Sequence, residues 1–566
     1  MSASVLSRSF IRKFFKSDSV CNPIGRRNLA KSSLSGHLCD CNDSENLSPC
    51  NKSTRCKYRV EGVPVYIRVY GCQMNVNDTS IVKSVLKDYG YKLVDDDSEA
   101  EIQLLMTCAI RDSAESKIWE KLKLLRHFKN DPGHPLKQVG ILGCMAERLK
   151  DRIVEENDVA DVVAGPDTYR DLPRLFFHNR STAHKAINCQ YLFDETYSDI
   201  RPETDKNSVK AFVSITRGCD NMCSFCIVPY TRGKERSRSI VSIIDEVKAL
   251  MTRGIKEVTL LGQNVNSYRD VSTPPDTIGR SDLVDQVAMK EQVAAGFKTV
   301  YRPRKKGLTF DVLLEEVANV SPELRVRFTS PHPKDFTEDV IDVMSRYPNI
   351  SKCIHLPAQS GSNTVLSRMR RGYTREAYLE LVNRLRHKMP DLAITTDIIT
   401  GFCGETADEH QDTIDLINKV GYTYIFMFKY SMREKTHAYH NFKDNVDESV
   451  KQERLLQIYQ LFRDQATRIN KSKIGSEQLV LIESDSKRSE TDWQGLSDTN
   501  ITTIIPKSEV VNLNEDMITP IKPGDYVACR VVEANSQTFR AIPIHITSQE
   551  RYYSDRFSDL KMKESN

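Results

Sequence analysis

The sequence predicts an α/β protein made of an N-terminal parallel-sheet domain, a partial (β/α)6 barrel and a small C-terminal β-barrel. Three observations carry that expectation. From residue 64 short, wholly apolar strands alternate with amphipathic helices, the pattern of a parallel sheet covered on both faces. The alternation resumes between 211 and 431 with six further strand–helix units. Beyond a long amphipathic helix at about 446–471 it gives way to short strands separated by turn residues such as Pro523-Gly524-Asp525. A chain of 566 residues exceeds one ordinary core. The expected boundaries are a leader and linker at 1–58, the parallel-sheet domain at 59–180, the barrel at 205–445, a connecting helix at 446–471 and the small β-barrel at 472–548.

The N-terminus reads as an address. Arg8, Arg12, Lys13, Lys16, Arg26, Arg27 and Lys31 face one acid, Asp18, among many serines, and Leu6, Phe10 and Phe14 fall at helical spacing. That composition describes a mitochondrial transit peptide, with a disordered basic tail as the alternative. Cys39, Cys41, Cys50 and Cys56 follow in a polar stretch with no flanking strand or helix and read as linker. The net charge of +4 is nearly balanced, so a nucleic-acid partner has to be met by local basic patches. No apolar run approaches the ~20 residues of a membrane span, so no membrane partner is expected. A monomer is expected.

Within the first domain, strands are expected at 65–72, 101–108 and 138–144, with a fourth at 159–165. Helices are expected at 77–89, 111–129 and 145–156. Fifteen cysteines in a long chain without a secretory signal favour metal ligation over a disulfide framework. Cys72, Cys108 and Cys144 each close one of these strands, so in a parallel sheet they converge along the edge where ligands bind. One such cysteine is more often a small packed residue; three at equivalent positions point to a cluster site.

The barrel opens with AFVSIT (211–216), and Cys219, Cys223 and Cys226 form CxxxCxxC on the loop that follows. Zinc sites generally use four ligands, and no fourth cysteine or histidine lies near. Three thiolates on a four-iron cluster leave one iron open to a substrate, and loops at this end of barrel strands carry chemistry. Further barrel strands are expected at 257–264, 325–331, 353–360, 393–402 and 422–431. Helices are expected at 240–253, 310–319, 337–346, 375–388 and 407–420, with an insertion at 270–307. The C-terminal strands EQLVLIES, NITTIIP, DYVACRVVEA and FRAIPIHI read as an OB-like barrel, a common RNA-binding platform.

CxxxCxxC with Phe225 before its last cysteine resembles the radical SAM (S-adenosylmethionine) signature. With three strand-end cysteines upstream and a TRAM-like barrel downstream, the chain is similar to the methylthiotransferases. YGCQMN (70–75), TCAIRDSAE (107–115), LLGQNVNSY (260–268), SPHP (330–333), HLPAQSGS (355–362) and MRRGYT (369–374) resemble the MiaB type. TRGKERSR (231–238) and the insertion resemble its animal mitochondrial branch. Cys403 stands where the bacterial motif GFPGET has proline, and Met106 where NTC has asparagine.

The resemblance implies a radical SAM core and two 4Fe–4S clusters. Cys219, Cys223 and Cys226 would be the catalytic set that opens SAM reductively, and Cys72, Cys108 and Cys144 would hold a second cluster bearing the sulfur to be transferred. Phe225, Gln263 and Gln359 would line the SAM pocket. The implied activity is insertion of a methylthio group at carbon 2 of isopentenyl-adenosine beside the tRNA anticodon, a hydrogen abstraction that needs a cofactor. tRNA and an electron donor are the implied partners. Related members act on threonylcarbamoyl-adenosine or a ribosomal protein, and the branch's name adds a kinase activator subunit as a binding partner.

Overall fold

The computed structural model describes residues 57–555 except 111, 193, 194, 196, 206, 281–296 and 298–305. The basic leader, Cys39, Cys41, Cys50, Cys56 and most of the 270–307 insertion lie outside the described residues.

The first domain contains β1 (Pro64–Val69), β2 (Lys92–Leu93), β3 (Ile102–Thr107), β4 (Gln138–Gly143), β5 (Val162–Ala164) and β6 (Ala186–Asn188). They form one parallel sheet in the order β2-β1-β3-β4-β5-β6. Its helices are α1 (Gln73–Asp88), α2 (Asp112–Asn130), α3 (Cys144–Leu149), α4 (Asp151–Glu156) and α5 (Leu172–Thr182). Alternate side chains of β3 take opposite faces. Leu104 and Met106 pack with Ile81 and Val85 of α1 and Phe176 of α5. Leu105 packs with Ile118 and Leu122 of α2 and with Met145.

Three details differ from expectation. The first helix starts earlier, at Gln73. The helix expected over 145–156 is two helices, broken at Lys150 by its left-handed φ of 48°. Two short strands, β2 and β6, flank the sheet, and their two and three residues are too few to show a period.

Residues 210–429 supply six parallel barrel strands, β7 (Lys210–Ser214), β10 (Glu257–Leu261), β13 (Arg325–Phe328), β14 (Cys353–His355), β15 (Ala393–Thr400) and β16 (Tyr424–Lys429). Two short antiparallel ladders accompany them, β8 (Thr216–Arg217) with β9 (Arg236–Ser237) and β11 (Arg269–Asp270) with β12 (Leu308–Thr309). The halves β13-β10-β7 and β14-β15-β16 meet where Val326 pairs with Ile350. The associated helices are α6 (Ile240–Thr252), α7 (Phe310–Ala318), α8 (Glu338–Arg346), α9 (Asn363–Arg368), α10 (Arg375–Lys388), α11 (Ala407–Val420) and α12 (His437–Asn441). Val213, Leu260, Val326, Ile354, Ile394 and Ile425 of the strands share one core with the helices. This is the partial (β/α)6 barrel the alternation predicts.

α13 (Glu448–Lys471) adds Ile458 and Phe462 to that core and leads into the last domain. Its strands are β17 (Glu477–Ser486), β18 (Ser489–Ser497), β19 (Thr502–Pro506), β20 (Glu509–Asn512), β21 (Met517–Pro520), β22 (Tyr526–Ala534) and β23 (Thr538–Thr547). The order is β19-β18-β17-β22-β23-β20-β21, and β19 also pairs with β23, which closes five strands into a barrel. Four strands were expected here and seven are present. β18, SETDWQGLS, is too polar to read as a strand, and β20 with β21 form a hairpin with exposed Met517 and Ile518. Among the described residues no helix is long and apolar enough to cross a membrane.

Buried arginines fasten this barrel to the starts of β10 and β13. Arg327 donates to Glu257 at 2.8 Å, to the Ser497 carbonyl at 2.9 Å and to the Asp498 carbonyl at 3.0 Å. Arg325 donates to the Leu496 carbonyl at 3.1 Å. Removing one partner of a buried pair strands the other charge, which costs ~3–5 kcal/mol. Arg327→Ala should therefore lower the unfolding free energy by that order, read from the shift of the denaturant midpoint at unchanged slope. A midpoint equal to the parent's would show that the clamp contributes nothing.

Candidate functional site

Strands of the N-terminal sheet hand over to helices along one edge, and cysteines stand at three of these handovers. They lie just past the strands, not at the last strand positions. β1 ends at Val69, β3 at Thr107 and β4 at Gly143; Cys72 caps α1, Cys108 follows β3 directly and Cys144 opens α3. Gly71 explains the early exit: its φ is +111°, and a Cβ there would stand 2.5 Å from the Cβ of Cys108. The chain leaves the sheet at the one residue that can pass so close. Burial raises the Cys144 thiol to about 11; Arg232 opposes that shift, while Cys108 and Cys72 add to it. The three thiols are thus electrostatic neighbours.

The second set sits on a loop pinned from both sides. Gly218, with φ +76°, turns the chain where a Cβ would lie 2.1 Å from the Lys234 carbonyl oxygen. The Cys219 amide then donates to the Gly233 carbonyl at 3.2 Å, and the Glu235 amide to the Asp220 carboxylate at 3.0 Å. On the far side the Ser224 amide donates to the Met369 carbonyl at 2.9 Å, and its carbonyl accepts from the Ala438 amide at 2.7 Å. Burial pushes the Cys219 thiol well up and that of Cys226 to about 12, with neighbouring thiols adding to both. Metal coordination reverses such shifts, since a ligating thiol gives up its proton.

Among the described residues no three His, Cys, Asp or Glu side chains converge as they would on a single metal ion. A cubane differs from one ion, because each thiolate takes its own iron and the ligands stand correspondingly apart. Orphaned polar atoms lie on the loop itself and just past β10. Both amide atoms of Gln263, just past β10, are buried without a partner, as are Asn221 Nδ2 and Ser224 Oγ. Buried polar atoms are ordinarily satisfied, so this donor and acceptor set fits a polar cofactor beside the cysteines. Gln359 is held at φ +70°, its amide donating to Asp397 and its carbonyl accepting from Ile399. Phe225 packs among Val365, Met369, Phe402, Cys403 and Tyr430. Cys403, in place of a proline, is a buried member of that apolar cluster.

A charged network joins the two cysteine sets, and it was not read from the sequence. Asp78, fully buried on α1, accepts from Arg217 at 2.7 Å and from Arg232 at 2.8 Å. Arg232 also donates to Asn75 at 3.2 Å and through Nε to Cys144 Sγ at 3.2 Å. Asn75 in turn donates to the carbonyls of Tyr70 at 2.6 Å and Thr107 at 3.0 Å, the residues leading into two of the cysteines. Arg217 and Arg232 flank the CxxxCxxC loop, so one carboxylate ties both sites together. Their adjacency to the cysteine motifs was the available signal; charged residues default to the surface in a sequence reading. Ala109, Cys144 and Ile227 complete the junction with an apolar contact.

The fold and these sites define a radical SAM protein with a cysteine-bearing domain before the barrel and a small β-barrel after it. Residues 64–165 match the uncharacterized protein family UPF0004, residues 213–417 the Radical SAM superfamily and residues 471–544 the TRAM domain. The chain is 49% identical over 481 residues to the mouse mitochondrial tRNA methylthiotransferase CDK5RAP1, covering 84% of this chain and 80% of that protein. It is 47% identical over 473 residues to the CDK5RAP1-like protein of Caenorhabditis elegans, covering 83% of each. It is 40% identical over 489 residues to the tRNA-2-methylthio-N(6)-dimethylallyladenosine synthase of Chloroherpeton thalassium, covering 86% of this chain and 96% of that protein. The chain belongs to this family of radical SAM methylthiotransferases.

Burial disfavours the charged form of Asp78, but the two guanidinium groups outweigh it and hold the carboxyl below its usual range. Asp78→Asn leaves two buried arginines short of a counter-charge and should cost ~3–5 kcal/mol near neutral pH. A depressed carboxyl stabilises the fold above its unfolded pKa and loses that contribution as pH falls through the folded value. The stability gap between parent and variant, read by denaturant unfolding at several pH values, should narrow in acid. A gap that is constant or widens in acid would contradict the ion-pair account.

Proposed function

We propose that this chain is a mitochondrial tRNA methylthiotransferase that places a methylthio group on carbon 2 of isopentenyl-adenosine next to the anticodon. The observation that carries the reading is the pairing of two cysteine triplets across one buried junction, in a chain whose relatives are named for this modification. Cys219, Cys223 and Cys226 would hold the cluster that meets SAM, and Cys72, Cys108 and Cys144 the one that carries sulfur. When bound, the clusters supply the one-electron chemistry and the transferable sulfur that no side chain can.

The chain's own residues do the rest. Gln263, with two unmet hydrogen-bonding atoms, would orient SAM, with Gln359 and Phe225 as further pocket residues. Asp78 and Arg232, which join the sulfur-side triplet to the SAM-side loop, would fix the spacing of the two reaction centres. Ala109, Ile227 and Cys144 keep water from the junction. The C-terminal barrel would grip tRNA, and a one-electron donor must reduce the clusters.

Protein reconstituted without oxygen should bind about eight irons per chain. Serine at Cys72, Cys108 and Cys144, or at Cys219, Cys223 and Cys226, should leave about four and abolish turnover. One cluster in the parent would sink the two-cluster scheme. For the substrate, loss of the protein should remove 2-methylthio-isopentenyl-adenosine from mitochondrial tRNA, as nucleoside mass spectrometry would register. If that nucleoside persisted while another methylthio product vanished, the substrate would be wrong and the chemistry right.

A further inference from the structure

Three sequence motifs converge behind Cys223 without having been given a role. Arg371, from MRRGYT, is 5% exposed and donates through Nη1 to Cys223 Sγ at 3.4 Å. Its Nη2 donates to the Pro357 carbonyl of HLPAQSGS at 2.9 Å, and its Nε to the Tyr373 hydroxyl at 3.1 Å. The Tyr373 ring stacks on the guanidinium at 5.4 Å and meets the ring of His332, from SPHP, edge to face at 5.9 Å. Every nitrogen of the fork is therefore committed to a direction.

Among the described residues, none of its partners carries a negative charge. Tyr373 and Pro357 offer neutral oxygens, and His332, deeply buried and close to this guanidinium, is held neutral. A buried guanidinium without a counter-charge is expensive, by several kcal/mol. Arg232 presents the opposite case, since its bond to Cys144 is accompanied by Asp78 at 2.8 Å. The Cys223 thiolate, as part of an anionic cluster, is the counter-charge available to Arg371.

We propose that Arg371 is a positioning residue that raises the reduction potential of the cluster held by Cys219, Cys223 and Cys226. The inference rests on reading those three cysteines as ligands. An oxidised four-iron core on three thiolates has one net negative charge, and one electron from an external donor makes it two. A fixed positive charge at a ligand sulfur stabilises the second charge more than the first, most strongly in a dry site. A donor of given strength then keeps more of the cluster reduced.

The test uses the full chain with Cys72, Cys108 and Cys144 replaced by alanine, which isolates the cluster in question. Midpoints come from dithionite titration followed by electron paramagnetic resonance, with R371Q and R371K made in this background. R371Q should lower the reduced-to-oxidised ratio at a fixed potential about tenfold, which is ~59 mV for one electron. R371K, keeping the charge without the fork, should fall between. An R371Q protein with full iron and an unmoved midpoint overturns the proposal. Should R371Q fail to hold iron, Arg371 itself is read by nitrogen-15 labelling of arginine. A nitrogen-15 coupling in the reduced-cluster spectrum is then expected, and its absence overturns the contact. If the background protein binds no iron at all, the ligand reading fails first and takes the arginine's role with it.

Discussion

One carboxylate holds the two halves of the candidate site together. Asp78 sits on α1, two turns from Cys72, and its two oxygens are taken by arginines from the barrel. Buried charges are tolerated only when geometry and hydrogen bonding are complete, so this trio fixes more than distance. Arg217 also stacks over Tyr197 at 4.6 Å, while Arg232 bridges to Asn75 and Cys144. Any slide of the first domain against the barrel would break several of these contacts at once. A second pair, Arg236 with Asp167 at 2.9 and 3.0 Å, crosses the same boundary. The two cysteine sets are therefore locked in register by charge, where an apolar interface alone would leave latitude.

The far end of the barrel is organised by the same device with another purpose. Arg325 and Arg327 enter at the starts of β13 and point their guanidinium groups at carbonyls of β18 and the turn after it. Backbone carbonyls accept without adding charge, so the clamp needs only Glu257 and the nearby Asp498 to balance it. The small β-barrel is thus attached at the strand beginnings, while the cysteines lie at the strand ends. Under the proposed function, an RNA held by that barrel would have to reach around the side of the core to present a base at the mouth. Reach and chemistry are separated by the length of the strands.

The barrel was legible because its periodicities are clean. Short apolar runs such as EVTLL, buried on both faces, and period 3.6 in helices such as IVSIIDEVKALMT fix element type. The C-terminal barrel was legible only in part, since SETDWQGLS buries Asp492, Gly495 and Ser497, none of them a large apolar side chain, on a strand that reads as polar. The cysteines were legible by spacing, apart from a shift of one to three residues past the strands. That shift depends on Gly71 meeting Cys108, a contact between segments far apart in sequence. Asp78, Arg217, Arg232 and Arg371 were not legible for a related reason. A charged residue shows its burial only through a partner elsewhere in the chain.

Asp78, Arg217 and Arg232 also tie together two cysteine triplets that sit on separate domains. On the proposed reading, three thiolates from one loop would define one cluster site and three from the edge of a sheet another. Neither arrangement sets the distance between the two centres. Arg232 does, since it belongs to the loop-bearing domain yet bonds the thiol of the other. It can do so without a stranded charge because Asp78 meets it from the opposite side. Arg371 has no carboxylate among its described partners, and on our proposal the cluster at Cys223 would complete the pair. Charge is thus balanced within the protein at the Cys144 contact and, among the described residues, left open at the Cys223 contact.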